Sequence, residues 1–195
     1  TGLLKKKEIC KRTVVVWPEE NHTQEAILQA THEGFISPIL VCSERTKKIF
    51  ADREALQAVT AENPEEASRI AVKIIREQKA DIIMKGFVNT DVLLRAILDK
   101  EHGILPSGAV LTHITVTKIP EYPKLLFFTD AAVIPYPTEE QRKAQIKYVI
   151  DFCHAFNIDC PKISLIHCSE KVDIKHFPYT ESYNRIKKEA ESGLF

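Results

Sequence analysis

Lys85-Gly86-Phe87-Val88-Asn89-Thr90 follows the apolar run Asp81-Ile82-Ile83-Met84 and precedes a helical pattern, so a cation, a glycine and a hydroxyl residue stand where a strand turns into a helix. That order can hold an anion, because amides after Gly86, the orphan donors of a helix beginning near Asp91 and the Lys85 ammonium can converge on one phosphate-sized charge. Each part also has a plainer reading: a lysine at a strand end is solvated, and Thr90 is explained by N-capping. A second apolar run, Leu125–Thr129, ends in Asp130-Ala131-Ala132 and the loop Pro135-Tyr136-Pro137. A carboxylate there must meet water, a helix N-terminus such as the one opening near Thr138, or a ligand. His113 alternates with Leu111 and Thr115; it reads either as a hydrogen-bonded core histidine or, beside the Thr112 hydroxyl, as a group that orients a reacting carbonyl or phosphate oxygen. Two strand ends carrying polar residues point to a cleft.

The elements that would position these groups alternate strand and helix. Thr13–Trp17 and Ile39–Cys42 read as strands, with a helix from about Thr23 to a C′ glycine at Gly34 between them, and Ser43 caps a short helix. Asn63-Pro64-Glu65-Glu66 is an N-terminal signature with Pro at N1, and Ile70, Ala71, Ile74 and Ile75 repeat at helical spacing as a buried stripe. After the Lys85 turn, Leu93, Ala96 and Ile97 form the inner face of another helix that stops near Gly103 and Pro106. Val110–Ile119 and Leu125–Thr129 are joined by five residues, which favours an antiparallel hairpin. Thr138-Glu139-Glu140-Gln141 fits a capping box for a helix burying Ile146, Val149, Ile150 and Cys153. A strand over Ile163–Ile166 and a final helix over Thr180–Glu191 follow. The expected class is α/β: a first domain over residues 1–106 with a mostly parallel sheet, and a second domain over 107–195 with a mixed sheet that reads as incomplete. In parallel sheets of this kind ligands lie outside the carboxyl ends of strands, where Lys85, Gly86 and Asp130 fall.

Composition narrows the function. Among 195 residues, Lys+Arg and Asp+Glu both number 27, so no global field holds nucleic acid or an anionic membrane, and an anionic ligand must be caught locally. No run approaches the ~18 apolar residues of a membrane span and the start has no signal-peptide h-region, so the chain reads as cytoplasmic. Five cysteines without CxxC spacing argue against a disulfide framework or structural zinc. His167-Cys168 beside Cys160 makes a poor chelate, since adjacent strand residues point to opposite faces. No metal site is expected.

Met84–Thr90, Leu94–Glu101, Leu111-Thr112-His113 and Phe128–Ala132 resemble, in this order, the phosphate acetyl/butyryltransferases, with the butyryl branch the better fit. The resemblance runs from about Arg12 to Phe195. It implies two α/β domains related to the isocitrate and isopropylmalate dehydrogenases with the active site in a cleft between them. It also implies acyl transfer between coenzyme A and inorganic phosphate, giving an acyl phosphate that an acyl kinase can use. The substrates are then acyl-CoA and phosphate, with no tightly bound cofactor and no metal. By the motif match, Gly86, Asn89, Thr90, Thr112 and His113 line the phosphate side, Lys85 adds charge and Asp130 borders the cleft. His113 and Asp130 are the catalytic candidates; Lys85, Gly86, Asn89, Thr90 and Thr112 are the binding ones.

The chemistry is consistent with those residue types. Phosphate attacking a thioester joins two anions and a developing oxyanion, which calls for aimed donors and cations. Family members protonate or stabilise the leaving thiolate with a Ser-Arg pair and an Asp from a later segment, and that segment does not occur in these residues. Relatives run roughly half as long again, a soft length comparison, so the chain is expected to be a fragment. Ile134 stands where relatives usually have Asn, and Thr112 replaces the commoner Ser. A homo-oligomer, a dimer or a multiple of dimers, is expected from the exposed hairpin edge. Two other classes remain: a non-catalytic phosphate/CoA-binding module, and a dehydrogenase of the related fold, against which stands the lack of a Gly-x-Gly-x-x-Gly fingerprint.

Overall fold

A computed structural model describes residues 10–51 and 56–195. The chain divides between Ser107 and Gly108 into two compact units.

The first unit is built on β1 (Lys11–Val16), α1 (Asn21–His32), β2 (Ile36–Cys42), α2 (Glu44–Ile49), β3 (Gln57–Thr60), α3 (Pro64–Arg76), β4 (Ile82–Lys85) and α4 (Thr90–Ile97). Its four strands are parallel in the order β3-β2-β1-β4. β1 is central because Val14, Val15 and Val16, β-branched and without polar atoms, suit burial on both faces of a parallel sheet. Alternation sends Val14 and Val16 into a cluster with Ala67, Ala71 and Leu93 from α3 and α4, and Val15 into a second cluster with Ile27 and Phe50. Each fully buried valine contributes about 1.5–3 kcal/mol. α3 opens as its sequence dictates: Asn63 accepts from the Glu66 amide at 2.8 Å and Pro64 sits in the first turn. Glu66 reaches back to the Glu62 amide at 2.7 Å, one residue before the cap.

The edge strand β3 is absent from the sequence reading. Its four residues carry no apolar run, and their pairing with Ile39–Cys42 of β2 is what makes them a strand.

The second unit contains β5 (Thr115–Lys118), β6 (Leu125–Phe128), α5 (Glu139–Ala155), a short 3-10 turn (Pro178–Thr180) and α6 (Glu181–Glu191). The hairpin pairs antiparallel with Thr115 opposite Phe128. Two expectations fail here. The sheet is a two-stranded antiparallel ribbon and not a mixed sheet, and Ile163–Ile166 forms no strand. Among the described residues nothing pairs with that segment, and Ile166 is 84% exposed; a strand without a partner cannot satisfy its backbone groups in a ladder. The first hairpin strand is also shorter than the Val110–Ile119 run, because residues 110–114 lie outside the ladder. α5 begins with the expected capping box of Thr138 and Gln141, and its Phe152 and Phe156 pack edge-on against Phe127 of the hairpin and tilted against each other.

Cys42 and Cys153 are buried and Cys10, Cys160 and Cys168 exposed. Burial, with Glu19 adding, pushes the Cys42 thiol up to about 11, an inert core thiol. Among the described residues no group of acids, histidines and cysteines could hold a metal ion, and no helix is long and apolar enough to cross a membrane.

Candidate active site

The order β3-β2-β1-β4 reverses direction between β1 and β4, and the strand ends at that switch point are Val16-Trp17 and Lys85-Gly86. Gly86 is required there by close approach. Its amide donates to the Val16 carbonyl at 2.9 Å, and a Cβ would lie 2.6 Å from that oxygen and 2.8 Å from the Trp17 oxygen. Phe87 donates to the Trp17 carbonyl at 2.8 Å. Trp17 takes a left-handed backbone, φ 55°, at this point, an uncommon conformation for a bulky residue. Glu19 then anchors the loop beyond β1, accepting from the Ser43 amide (2.8 Å), the Ser43 hydroxyl (2.7 Å) and the Thr46 hydroxyl (2.7 Å).

These contacts change which donors the turn offers. The Gly86 and Phe87 amides are engaged by β1, and Lys85 Nζ bends over the turn to donate to the carbonyls of Val88 (2.8 Å) and Gly86 (3.2 Å). Asn89 is the N-cap of α4 but its side chain makes no capping bond, and the amides of Asn89 and Thr90 have no partner among the described residues. Asp91 pairs with Arg95 in the same first turn. Hydrogen bonds from Arg95 hold the Asp91 carboxyl below its usual range. Lys85, Gly86, Asn89 and Thr90 are thus one local assembly.

In the second unit Thr112, His113 and Asp130 come together. Asp130 accepts from the Thr112 hydroxyl (2.8 Å), the His113 amide (3.2 Å), the Ala132 amide (2.9 Å) and the Val133 amide (2.8 Å). Desolvation opposes its ionisation, but those four donors prevail and lower the carboxyl to about 2. The partner of Asp130 is therefore the turn that follows it and the segment before β5, not the helix at Thr138, whose N-terminus Thr138 caps itself. Thr129 adds a contact the sequence reading did not single out: its hydroxyl donates to the His113 carbonyl at 2.6 Å and lies 3.1 Å from that of Thr112. The His113 ring is half-buried, with Nδ1 3.4 Å from the Thr115 hydroxyl.

A groove of about 950 Å³ runs between α3 and α4, lined by residues such as Arg69, Lys73, Val92 and Asp99. None of the candidate residues lines it, so size alone does not mark the site.

Residues 55–188 match the family described as phosphate acetyl/butaryl transferase. The chain belongs to that family. The phosphate butyryltransferase of Clostridium beijerinckii is 33% identical to it over 161 residues, which are 80% of this chain and 53% of that protein. The phosphate butyryltransferase of Clostridium acetobutylicum is 30% identical over 195 residues, 97% of this chain and 64% of that protein. The chain thus spans between about half and two thirds of the length of these relatives. A branched-chain phosphotransacylase from Enterococcus faecalis shares the fold at a TM-score of 0.76 and 19% identity, over 90% of this chain and 62% of that one.

Two positioning contacts escape the sequence for different reasons. Thr129 is the last residue of an apolar run and reads as its terminus. Glu19 lies 24 and 27 residues from the partners it holds, a separation that no local pattern reports.

Proposed function

We propose that the chain is part of a phosphate acyltransferase of the butyryl type, which moves an acyl group between coenzyme A and inorganic phosphate to give an acyl phosphate. The observation that carries this is the family match over residues 55–188, with phosphate butyryltransferases among the relatives at 30% identity or more. The site chemistry supports it. The partnerless amides of Asn89 and Thr90 are donors suited to a phosphate oxygen. The ionised Asp130 carboxylate holds the Thr112 hydroxyl and the His113 amide, which fixes the backbone that carries the His113 ring. Asp130, with four donors already bound to it, organises this cluster, while the His113 ring presents the nitrogen that meets substrate. Lys85 braces the turn and adds positive charge beside it.

In this reading a phosphate oxygen attacks the thioester carbonyl, the C–S bond breaks, and the coenzyme A sulfur takes up a proton. The parallel 3-2-1-4 order supports kinship with the isocitrate and isopropylmalate dehydrogenase fold. An acyl phosphate is a phosphoryl donor, so an acyl kinase is the class of enzyme that consumes the product. The two-stranded ribbon, with open edges, supports self-association as a dimer or a multiple of dimers. The test is phosphate-dependent release of thiol from butyryl-CoA, with acetyl-CoA alongside and a substrate-free blank for the five cysteines. Release that requires phosphate and favours butyryl-CoA is expected; binding of phosphate or coenzyme A without turnover would favour a non-catalytic binding module.

A further inference from the structure

The turn that carries the proposed phosphate donors leans on a residue held in an unfavourable shape. Trp17 is bulky and half-buried, yet its backbone is left-handed, φ 55°. Such a conformation persists only where the surroundings enforce it, and strain of this kind concentrates at functional sites. The Trp17 amide donates to the Val41 carbonyl at 2.8 Å. Its carbonyl accepts from two amides, that of Phe87 at 2.8 Å and that of Glu19 at 2.9 Å. One oxygen therefore joins the loop after β1 to the turn after β4.

Glu19 is a half-buried titratable group to which acyl transfer assigns no step. Its carboxylate accepts from the Ser43 amide (2.8 Å), the Ser43 hydroxyl (2.7 Å) and the Thr46 hydroxyl (2.7 Å). These donors are fixed in place, since Ser43 caps α2 and Thr46 is buried. Gln24 adds a second tie, donating from Nε2 to the Pro18 carbonyl at 2.9 Å. The two ends of Glu19 thus have different partners: its side chain is fastened to the start of α2, while its amide points at the carbonyl shared with Phe87. Without the side-chain anchor, residues 17–19 can relax toward an ordinary backbone, which swings the Trp17 carbonyl away from Phe87.

We infer that Glu19 is a positioning residue for phosphate. It holds Trp17 in its left-handed form, so that the Trp17 carbonyl fixes Phe87 and, through it, the Asn89 and Thr90 amides that follow in the same turn. This role rests on the function proposed above, in which those amides receive phosphate. Donors stabilise an anion only when they are aimed at it, and a misplacement of about 1 Å is felt.

Trp17 is the single tryptophan of the chain, so phosphate bound at this turn should change its fluorescence. The experiment is titration of the whole 195-residue chain with inorganic phosphate, read by that fluorescence and by calorimetry, with amide exchange recorded at Phe87 and, for comparison, at Val15 in the middle of β1. It is run on wild type, Glu19→Ala, Glu19→Gln and the milder Thr46→Val, which removes one donor to Glu19; circular dichroism checks that each is folded. In Glu19→Ala exchange should rise at Phe87 but not at Val15, and the phosphate Kd should increase about tenfold. Glutamine offers a carbonyl to the Ser43 amide and an amide to hydroxyls able to accept, so Glu19→Gln should recover phosphate binding to within about threefold of wild type. Thr46→Val should fall between. Exchange at Phe87 unchanged from wild type, an unchanged phosphate Kd in the folded variants, or an equal rise in exchange at Phe87 and Val15, which general loosening would give, overturns the role. If phosphate binds not even the wild type while exchange at Phe87 alone rises in Glu19→Ala, the clamp on Trp17 stands and the phosphate reading of the turn falls.

Discussion

The two units solve the problem of holding polar groups at a strand end in opposite ways. At β4 the polar groups belong to the backbone, and they are fixed by β1: Gly86 and Phe87 donate to Val16 and Trp17, with Lys85 folded over the result. At β6 they are gathered by one side chain, the Asp130 carboxylate, with its four donors. The first arrangement rests on a sheet whose central strand is buried on both faces; the second stands beside a two-stranded ribbon in which Leu126 and Phe128 remain about 40% exposed. Rigidity thus comes from packing in one unit and from a satisfied charge in the other.

Substitutions can separate the two mechanisms. Gly86→Ala should have the largest effect: its Cβ meets two backbone oxygens that cannot move without opening β1, and a loss of about 3 kcal/mol is expected in urea unfolding. A loss under 1 kcal/mol would mean that β1 and β4 part easily. Next, Asp130→Ala leaves two turn amides and the His113 amide without their acceptor and should cost about 2 kcal/mol; amide exchange at Ala132 and Val133 should rise with it.

The Asp130 carboxyl also gives a pH signature. Its folded value, about 2, lies below the ordinary 3.8, so its stabilisation is complete above pH ~4 and is lost as pH falls toward 2. The expected contribution is about 1–2 kcal/mol after screening, and Asp130→Asn should flatten that limb of an acid titration. The Thr138 cap comes next: Thr138→Ala should cost about 1 kcal/mol by removing the hydroxyl that accepts from the Gln141 amide. Smallest in stability is Lys85→Ala, about 0.5–1 kcal/mol from the lost carbonyl contacts. Its functional effect should be a phosphate affinity weakened more than that for coenzyme A, measured by titration with each; equal losses would count against placing Lys85 near phosphate.

Much of the first unit is legible in its residues, because β-branched runs, a Pro-led cap and a helical stripe each state their structure locally. Thr13–Trp17, Asn63–Glu66 and Ile70–Ile75 are of this kind. β3 is not, since an exposed edge strand of Gln57-Ala58-Val59-Thr60 is defined by its neighbour. The reverse error at Ile163–Ile166 has the same cause: an apolar run reads as a strand, but a ladder needs a partner that the run does not encode. At the site, the residue types that meet at Asp130 are visible, whereas the direction of each bond is not. Gly86 stands out in sequence as the turn whose following amides could meet a ligand; the structure adds that two backbones touch there.

That touch has a consequence for the order of events during synthesis. β1 is shared by β2 and β4, and Arg12 clasps Asp81 at 2.7 Å across 69 residues. While the chain is still growing toward Lys85, one edge of Thr13–Val16 has nothing to pair with, and it presents a continuous β-branched template of the kind that recruits other chains. The Gly86 turn is then the step that retires this edge. A defect at Gly86 should therefore appear first in the yield of soluble protein during expression, before any assay of the finished molecule.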